Sequence, residues 1–195
     1  MRVTILDYGA GNLHSLAKAL SAAGGDVSVE REPLRALDTD VLVLPGVGAF
    51  SAAASHIAND RETLRRAIAA GLPTLGICLG MQLLFDSSEE GPGRGLGVMP
   101  GVVERIRAIR VPHMGWNRVS AVAGAEQALE SAYFANSFVC RPMNESIVAA
   151  WSEQDGDRFP AAVRAGATLG VQYHPEKSSR AGIGMLECFL NEVAA

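Results

Sequence analysis

The sequence predicts an α/β sandwich in which helices cover both faces of a mostly parallel central sheet, with antiparallel strands added late in the chain. Three observations carry this expectation. Short apolar runs at Val3 to Leu6, Val41 to Leu44 and Thr74 to Ile77 read as strands, and the second is continuous in the way of a strand buried on both faces. Between these runs apolar residues recur at helical spacing. After Gly101 that spacing stops, and short strand candidates separated by turn residues take over until a last helix.

Val3, Ile5 and Leu6 form the first strand, which stops at Asp7-Tyr8-Gly9-Ala10-Gly11. Leu13, Leu16, Ala17 and Leu20 then line one helix face, and Gly24-Gly25 ends that helix. Val27 and Val29 alternate as a short strand. Beyond Val41 to Leu44, Asn59 and Glu62 resemble a capping box for a helix whose inner face holds Leu64, Ala67 and Ile68. Gly71 and Pro73 close it, and Thr74 to Ile77 follow as another buried strand. From Gly91 to Gly101, five glycines and two prolines predict a surface turn. Val102-Val103, Ile106, Ile109, Tyr133-Phe134, Ile147-Val148 and Ala161-Ala162-Val163 are the later strand candidates, expected as antiparallel additions to the sheet. Ile183, Leu186 and Leu190 mark the closing helix. With no internal repeat or low-complexity linker, residues 1–195 read as one domain.

Composition narrows the function classes. Of the 195 residues 48% are hydrophobic and 19% charged, which supplies a sizeable core and argues against a disordered chain. Seventeen Lys and Arg against 21 Asp and Glu leave a net charge of −4, and the basic residues are scattered. Nucleic acid and anionic membrane are therefore not expected partners. The start of the chain does not read as a signal peptide, and the stretches Val41 to Phe50 and Leu72 to Phe85 are too short and too broken by Pro and Gly to span a bilayer. A cytoplasmic protein with reduced thiols is expected. Cys78, Cys140 and Cys188 contain no CxxC pair, so neither a disulfide framework nor a zinc site is suggested, and no cofactor or metal is called for.

One of these cysteines is placed for chemistry. Gly76-Ile77-Cys78-Leu79-Gly80 has the G-x-nucleophile-x-G form of a strand-to-helix elbow, in which flanking glycines give the sharp turn room. A helix start near Leu79 favours negative charge on the sulfur. Cys140 and Cys188 lack this setting and read as inert core thiols. A thiol nucleophile needs a base and the base an orienter. His14 and His56 fall in helical stretches among polar neighbours and read as solvated, while His113, between Pro112 and Met114, reads as a satisfied loop histidine. His174 follows the apolar run Leu169-Gly170-Val171, in Gln172-Tyr173-His174-Pro175-Glu176, at a strand end marked by Pro175. Extended backbone would put Glu176 on the same side as His174. The loop Leu44-Pro45-Gly46-Val47-Gly48 can expose backbone amides, so that one N–H from Gly46 or Val47 and the Leu79 N–H could serve an oxyanion.

Taken together, Pro45-Gly46-Val47-Gly48, Gly76 to Gln82 and His174-Pro175-Glu176 resemble the class I (triad-type) glutamine amidotransferases, in order and spacing and over essentially the whole chain. The resemblance implies a flavodoxin-like sandwich, glutamine as substrate and a catalytic set of Cys78, His174 and Glu176. It also implies oxyanion donors at Gly46, Val47 and Leu79, and glutamine contacts from Gly48, Gln82, Ser137 and Phe138. Asn136 and Phe138 stand where His and Tyr are usual, so backbone contacts by Phe138 would survive and contacts needing an imidazole or a hydroxyl would not.

Asp7 to Asn12, Pro112 to Asn117 and Lys177-Ser178-Ser179 resemble one branch of that family. Its members pass ammonia to a (β/α)8-barrel cyclase making imidazole glycerol phosphate and AICAR in histidine biosynthesis. For this chain the branch implies a heterodimer with the cyclase, an interface that includes Asn12, Trp116, Tyr133 and Lys177, and little glutamine turnover without the partner. From the residues alone, Trp116 and Tyr133 read equally well as core aromatics and Lys177 as a solvated lysine. Two alternatives stand beside this branch: a glutaminase subunit of an anthranilate or aminodeoxychorismate synthase, and a binding module of the same fold without catalysis.

Overall fold

The structure, a computed structural model, describes residues 1–9, 13–123 and 129–195. Its core is a mixed sheet with five parallel strands at one side: β1 (Arg2–Leu6), β2 (Asp26–Glu30), β3 (Val41–Leu44), β4 (Thr74–Ile77) and β13 (Thr168–Val171). They lie in the order β2-β1-β3-β4-β13, and three antiparallel strands, β12 (Asp157–Ala165), β11 (Val148–Gln154) and β8 (Ser120–Ala121), extend the sheet beyond β13. This parallel order is the doubly wound one whose ligands gather beyond the carboxyl ends of the strands.

The alternation within each strand shows why the runs had to be continuously apolar. Val41 and Val43 on β3 pack into one apolar cluster with α1 (His14–Ala22) and α5 (Ser179–Ala194). Leu42 and Leu44 point the other way, into a cluster with α2 (Phe50–Ile57), α3 (Arg61–Ala69) and α4 (Leu79–Leu83). All four side chains are at most 1% exposed. A polar residue at any of them would face a helix layer rather than water.

Two small sheets finish the molecule. β10 (Phe138–Pro142) pairs antiparallel with β6 (Gly101–Arg105), which pairs parallel with β5 (Ser87–Ser88). β7 (His113–Arg118) and β9 (Ser131–Asn136) form an antiparallel ribbon with Trp116 opposite Tyr133. Of the predicted antiparallel additions, Val148 and Ala161 to Val163 therefore join the main sheet. Val102-Val103 and Tyr133-Phe134 form strands but in these separate sheets, where Val103 packs against the α2 to α4 side and Phe134 against the opposite side. Ile106 follows β6 outside any strand, and Ile109 is 89% exposed in a loop.

Three further expectations are corrected. Helix α3 starts at Arg61 after Asp60 with no side-chain cap, so Asn59 and Glu62 form no capping box. Glu62 instead pairs with Arg65 one turn on. The Gly91 to Gly101 segment is irregular as predicted, but Leu96 and Met99 within it are fully buried, because the loop folds back over α4 through hydrogen bonds such as Leu96 N–H to Leu83 O. Cys140 is buried as expected, whereas Cys188 sits exposed on α5. Among the described residues, no helix is long and apolar enough to cross a membrane.

Candidate active site

Strand β4 runs straight into the turn that carries Cys78. Its backbone there has φ 47° and ψ −105°, a left-handed conformation that a side-chain-bearing residue adopts only when its surroundings hold it. The surroundings are the adjacent strand, since Cys78 N–H donates to Val171 O at 2.7 Å. A close approach of backbones supplies the rest. A Cβ on Gly80 would overlap the Leu44 carbonyl oxygen, and one on Gly76 would lie 2.7 Å from Gly80 O. The two glycines are thus required for the steric reason the motif suggested, and they let α4 start immediately behind the thiol.

His174 arrives from the end of β13. Its Nδ1 pairs with Glu176 Oε1 at 2.8 Å, with side chains only 3% and 8% exposed. Glu176 reaches it by a route other than the one expected: residues 175 to 177 form a turn of 3-10 helix rather than extended chain, so the carboxylate curls back under the ring. Burial alone would pull the His174 pKa down, but hydrogen bonds and charge from Cys78 and Glu176 outweigh it and raise it to about 9. Cys78, His174 and Glu176 are therefore brought together. Glu176 Oε2 is buried and has no hydrogen-bond partner among the described residues.

The loop after β3 closes over this pair. A Cβ built on Gly46 would lie 3.0 Å from both Cys78 Cβ and His174 Cε1, so the loop packs beside both candidate residues and leaves no room for a side chain there. Tyr8, buried just beyond the end of β1, donates its hydroxyl to Pro45 O and so fixes the peptide that carries the Gly46 N–H. Burial, with the Cys78 charge adding, pushes the Tyr8 phenol well above its usual range and keeps it a neutral donor.

A pocket of about 340 Å³ opens over the sulfur. Gly46, Val47, Gly48, Cys78, Leu79, His174, Gln82, Ser137 and Phe138 all line it, so the proposed oxyanion and glutamine-contact residues share one cavity. Gln82 donates to Phe138 O at 3.0 Å, and Asn136 donates to the same oxygen at 3.1 Å. Asn136 thus fills the usual histidine position as a brace of the wall.

Three residues of the site escaped the sequence reading. Glu90 lines the pocket while accepting the Phe50 N–H at 3.0 Å, and nothing in its loop sequence signals this. Tyr8 reads in sequence only as a residue after a strand. Gln172 does carry a signal, because strand alternation puts it on the same side of the chain as His174.

Trp116 and Tyr133 meet edge to face at 6.4 Å, and Lys177, which lines the pocket, has its Nζ 5.9 Å from the Tyr133 ring centre. Trp116 is 53% exposed, which removes the core reading for it. Asn12 lies outside the described residues. His14 and His56 are exposed on helices as expected. His113 is not a loop histidine: it opens β7, stacks on Phe134 at 5.0 Å, and leaves Nδ1 without a partner among the described residues.

Comparison with known proteins places the chain in a family. The family described as glutamine amidotransferase class-I matches residues 4–193. The chain belongs to that family. Within it, the chain is 39% identical to the imidazole glycerol phosphate synthase subunit HisH of Synechococcus elongatus, covering 100% of this chain and 94% of the relative. The HisH subunit of Thermus thermophilus is 45% identical, with 95% of each chain covered. Solved structures share the amidotransferase fold at lower identity. A crystal structure of a glutamine amidotransferase superposes with a TM-score of 0.77 at 20% identity, covering 99% of both chains. The structure of PurLQS from Thermotoga maritima gives 0.74 at 18%, covering 98% of both chains.

Proposed function

We propose that this chain, residues 1–195 acting as one amidotransferase domain, is the glutaminase subunit of an imidazole glycerol phosphate synthase of histidine biosynthesis. The observation that carries the reading is the buried set of Cys78, His174 and Glu176, with Cys78 and His174 lining a pocket of about 340 Å³. Relatives named as subunits of that synthase match over the full chain, which favours it over the chorismate-using synthases.

The chemistry follows from the groups present. Cys78 Sγ attacks the side-chain amide carbon of glutamine, and the carbonyl oxygen becomes an oxyanion facing the amides of Gly46 or Val47 and Leu79. His174, held by Glu176, gives its proton to the amide nitrogen, the C–N bond breaks and ammonia leaves a thioester on Cys78. The imidazole, now neutral, takes a proton from water, whose oxygen attacks the thioester. Glutamate departs and the sulfur is freed. Gly48, Gln82, Ser137 and Phe138 hold the substrate. Glu90, the carboxylate on the pocket wall, suits the substrate's α-ammonium.

Ammonia must stay unprotonated to act as a nucleophile, so it passes directly to a (β/α)8-barrel cyclase bound as a heterodimer. The exposed Trp116, in contact with Tyr133, which in turn neighbours the pocket-lining Lys177, supports a docking face there, and Asn12 belongs to the same face by family resemblance. The complex works in the cytoplasm. The test is to mix the chain with the barrel cyclase and its nucleotide ligand. Glutamine consumption should rise steeply over the nearly silent isolated chain. Stimulation by a chorismate-using subunit instead, or no turnover with either partner, would overturn the reading.

A further inference from the structure

His174 is not the sole polar group that the chain delivers to the nucleophile. Strands β4 and β13 pair Gly76 with Gly170 and Ile77 with Val171, and the next step of that register sets Cys78 beside Gln172. Gln172 Nε2 donates to Cys78 Sγ at 3.5 Å. Its Oε1 accepts from Gln82 Nε2 at 3.4 Å, and Gln82 donates also to Phe138 O at 3.0 Å. Gln172 is completely buried and Gln82 is 4% exposed.

The orientation of this chain of amides is forced. Gln82 spends one N–H on the Phe138 carbonyl and one on Gln172, so the Gln172 oxygen must face Gln82 and its NH2 must face the sulfur. Burying a carboxamide costs free energy that an apolar side chain of the same size would avoid, unless its donors do something an apolar group cannot. A donor aimed at sulfur does so, since an N–H stabilises negative charge that a thioether-like or hydrocarbon neighbour leaves bare. Unlike the imidazole, a carboxamide never gives up its proton over the working range. It therefore donates equally when the sulfur attacks and when the sulfur leaves.

We propose that Gln172 is a further catalytic residue. Its carboxamide holds the Cys78 sulfur in line with His174, stabilises the anionic sulfur that attacks and later departs, and links that sulfur through Gln82 to the glutamine-binding wall at Phe138. The inference deepens the glutaminase reading and rests on it for the turnover measurement alone.

The test compares Gln172→Met, which keeps size and loses the donors, with Gln172→Glu, which keeps size and turns an acceptor toward the sulfur. In the complex with the cyclase, Gln172→Met should lower kcat about tenfold or more with the glutamine KM within about threefold, as expected for one hydrogen bond to a charged group. Gln172→Glu should lose more. Alkylation of Cys78 by iodoacetamide, which needs no glutaminase activity, should slow in the same order. A Met variant with kcat and alkylation within about twofold of the parent would mean a packing role and overturn the proposal. If the variants do not fold, the unsubstituted chain still decides: the NMR signal of the Gln172 side-chain amide should shift when Cys78 is alkylated, and an unmoved signal would overturn it. Lack of glutamine turnover by the unsubstituted complex, with the alkylation order intact, would instead count against the glutaminase reading.

Discussion

The backbone N–H of His174 donates to the carbonyl of Tyr133 at 2.9 Å, which ties the imidazole-bearing segment to the strand that carries the proposed docking face. Ser178 closes the same contact from the other side. Its Oγ accepts the Tyr133 N–H at 3.0 Å and donates to His174 O at 2.7 Å. A displacement of β9 can therefore reach the segment that carries His174 through three hydrogen bonds.

Ser178→Ala should expose the value of that clamp. The substitution leaves the part-buried Tyr133 N–H without its acceptor, which costs about 1 kcal/mol or more of unfolding free energy in denaturant titrations. Glutamine turnover in the complex should fall as well. Unchanged stability would show that water replaces the hydroxyl.

Cys78→Ala should abolish glutamine hydrolysis while leaving complex formation and the ammonia-dependent reaction of the cyclase intact, because only the nucleophile is lost. Glutamine-dependent and ammonia-dependent synthesis are to be measured side by side. Loss of both would place Cys78 in assembly rather than chemistry.

The pH dependence follows from His174. Its pKa of about 9 in the fold lies above the ordinary 6.5, so the folded chain binds a proton the unfolded chain has released. That stabilisation is fully present below about 6.5 and is lost as the pH rises through about 9. The stability difference between the parent and His174→Asn should therefore narrow across this window in denaturant titrations. Glutamine turnover should decline at its upper end as the proton donor for the leaving nitrogen is lost. A difference that stays constant across the window would count against the assignment.

Tyr8→Phe removes the hydroxyl that holds Pro45 O and leaves a buried carbonyl with one partner fewer. A loss of about 1–2 kcal/mol is expected. Steady-state kinetics of the complex should show a lower kcat for glutamine, with ammonia-dependent synthesis unaffected, because the freed peptide no longer fixes the Gly46 N–H beside Cys78.

Gly80→Ala would drive a methyl group into the Leu44 carbonyl, where backbone of a central strand and of the elbow helix meet. Neither can give way cheaply. Thermal unfolding should register a loss of at least about 1–3 kcal/mol, the usual cost of overpacking.

Much of this was legible in the residues themselves. Continuous apolar runs such as Val41 to Leu44 marked the parallel strands, since both faces of such a strand are covered. The glycines around Cys78 and the proline after His174 marked the strand ends where functional groups collect. Other features left weak traces. Glu90 enters the pocket from a loop, and Val102-Val103 and Tyr133-Phe134 gave no sign that they would leave the main sheet, because short strands choose partners through contacts distant in sequence.

The linear order of amino acids thus pointed to the doubly wound architecture and the family and singled out Cys78 and His174 as candidate nucleophile and base, all of which depend on local spacing and steric need. Tertiary structure decided what sits beside the sulfur. Gln172 and Cys78 are 94 positions apart, and only the register between β4 and β13 sets those two side by side. Hydrogen bonds act over a few ångströms of space, and spacing along the chain does not record which distant segments will come within that reach.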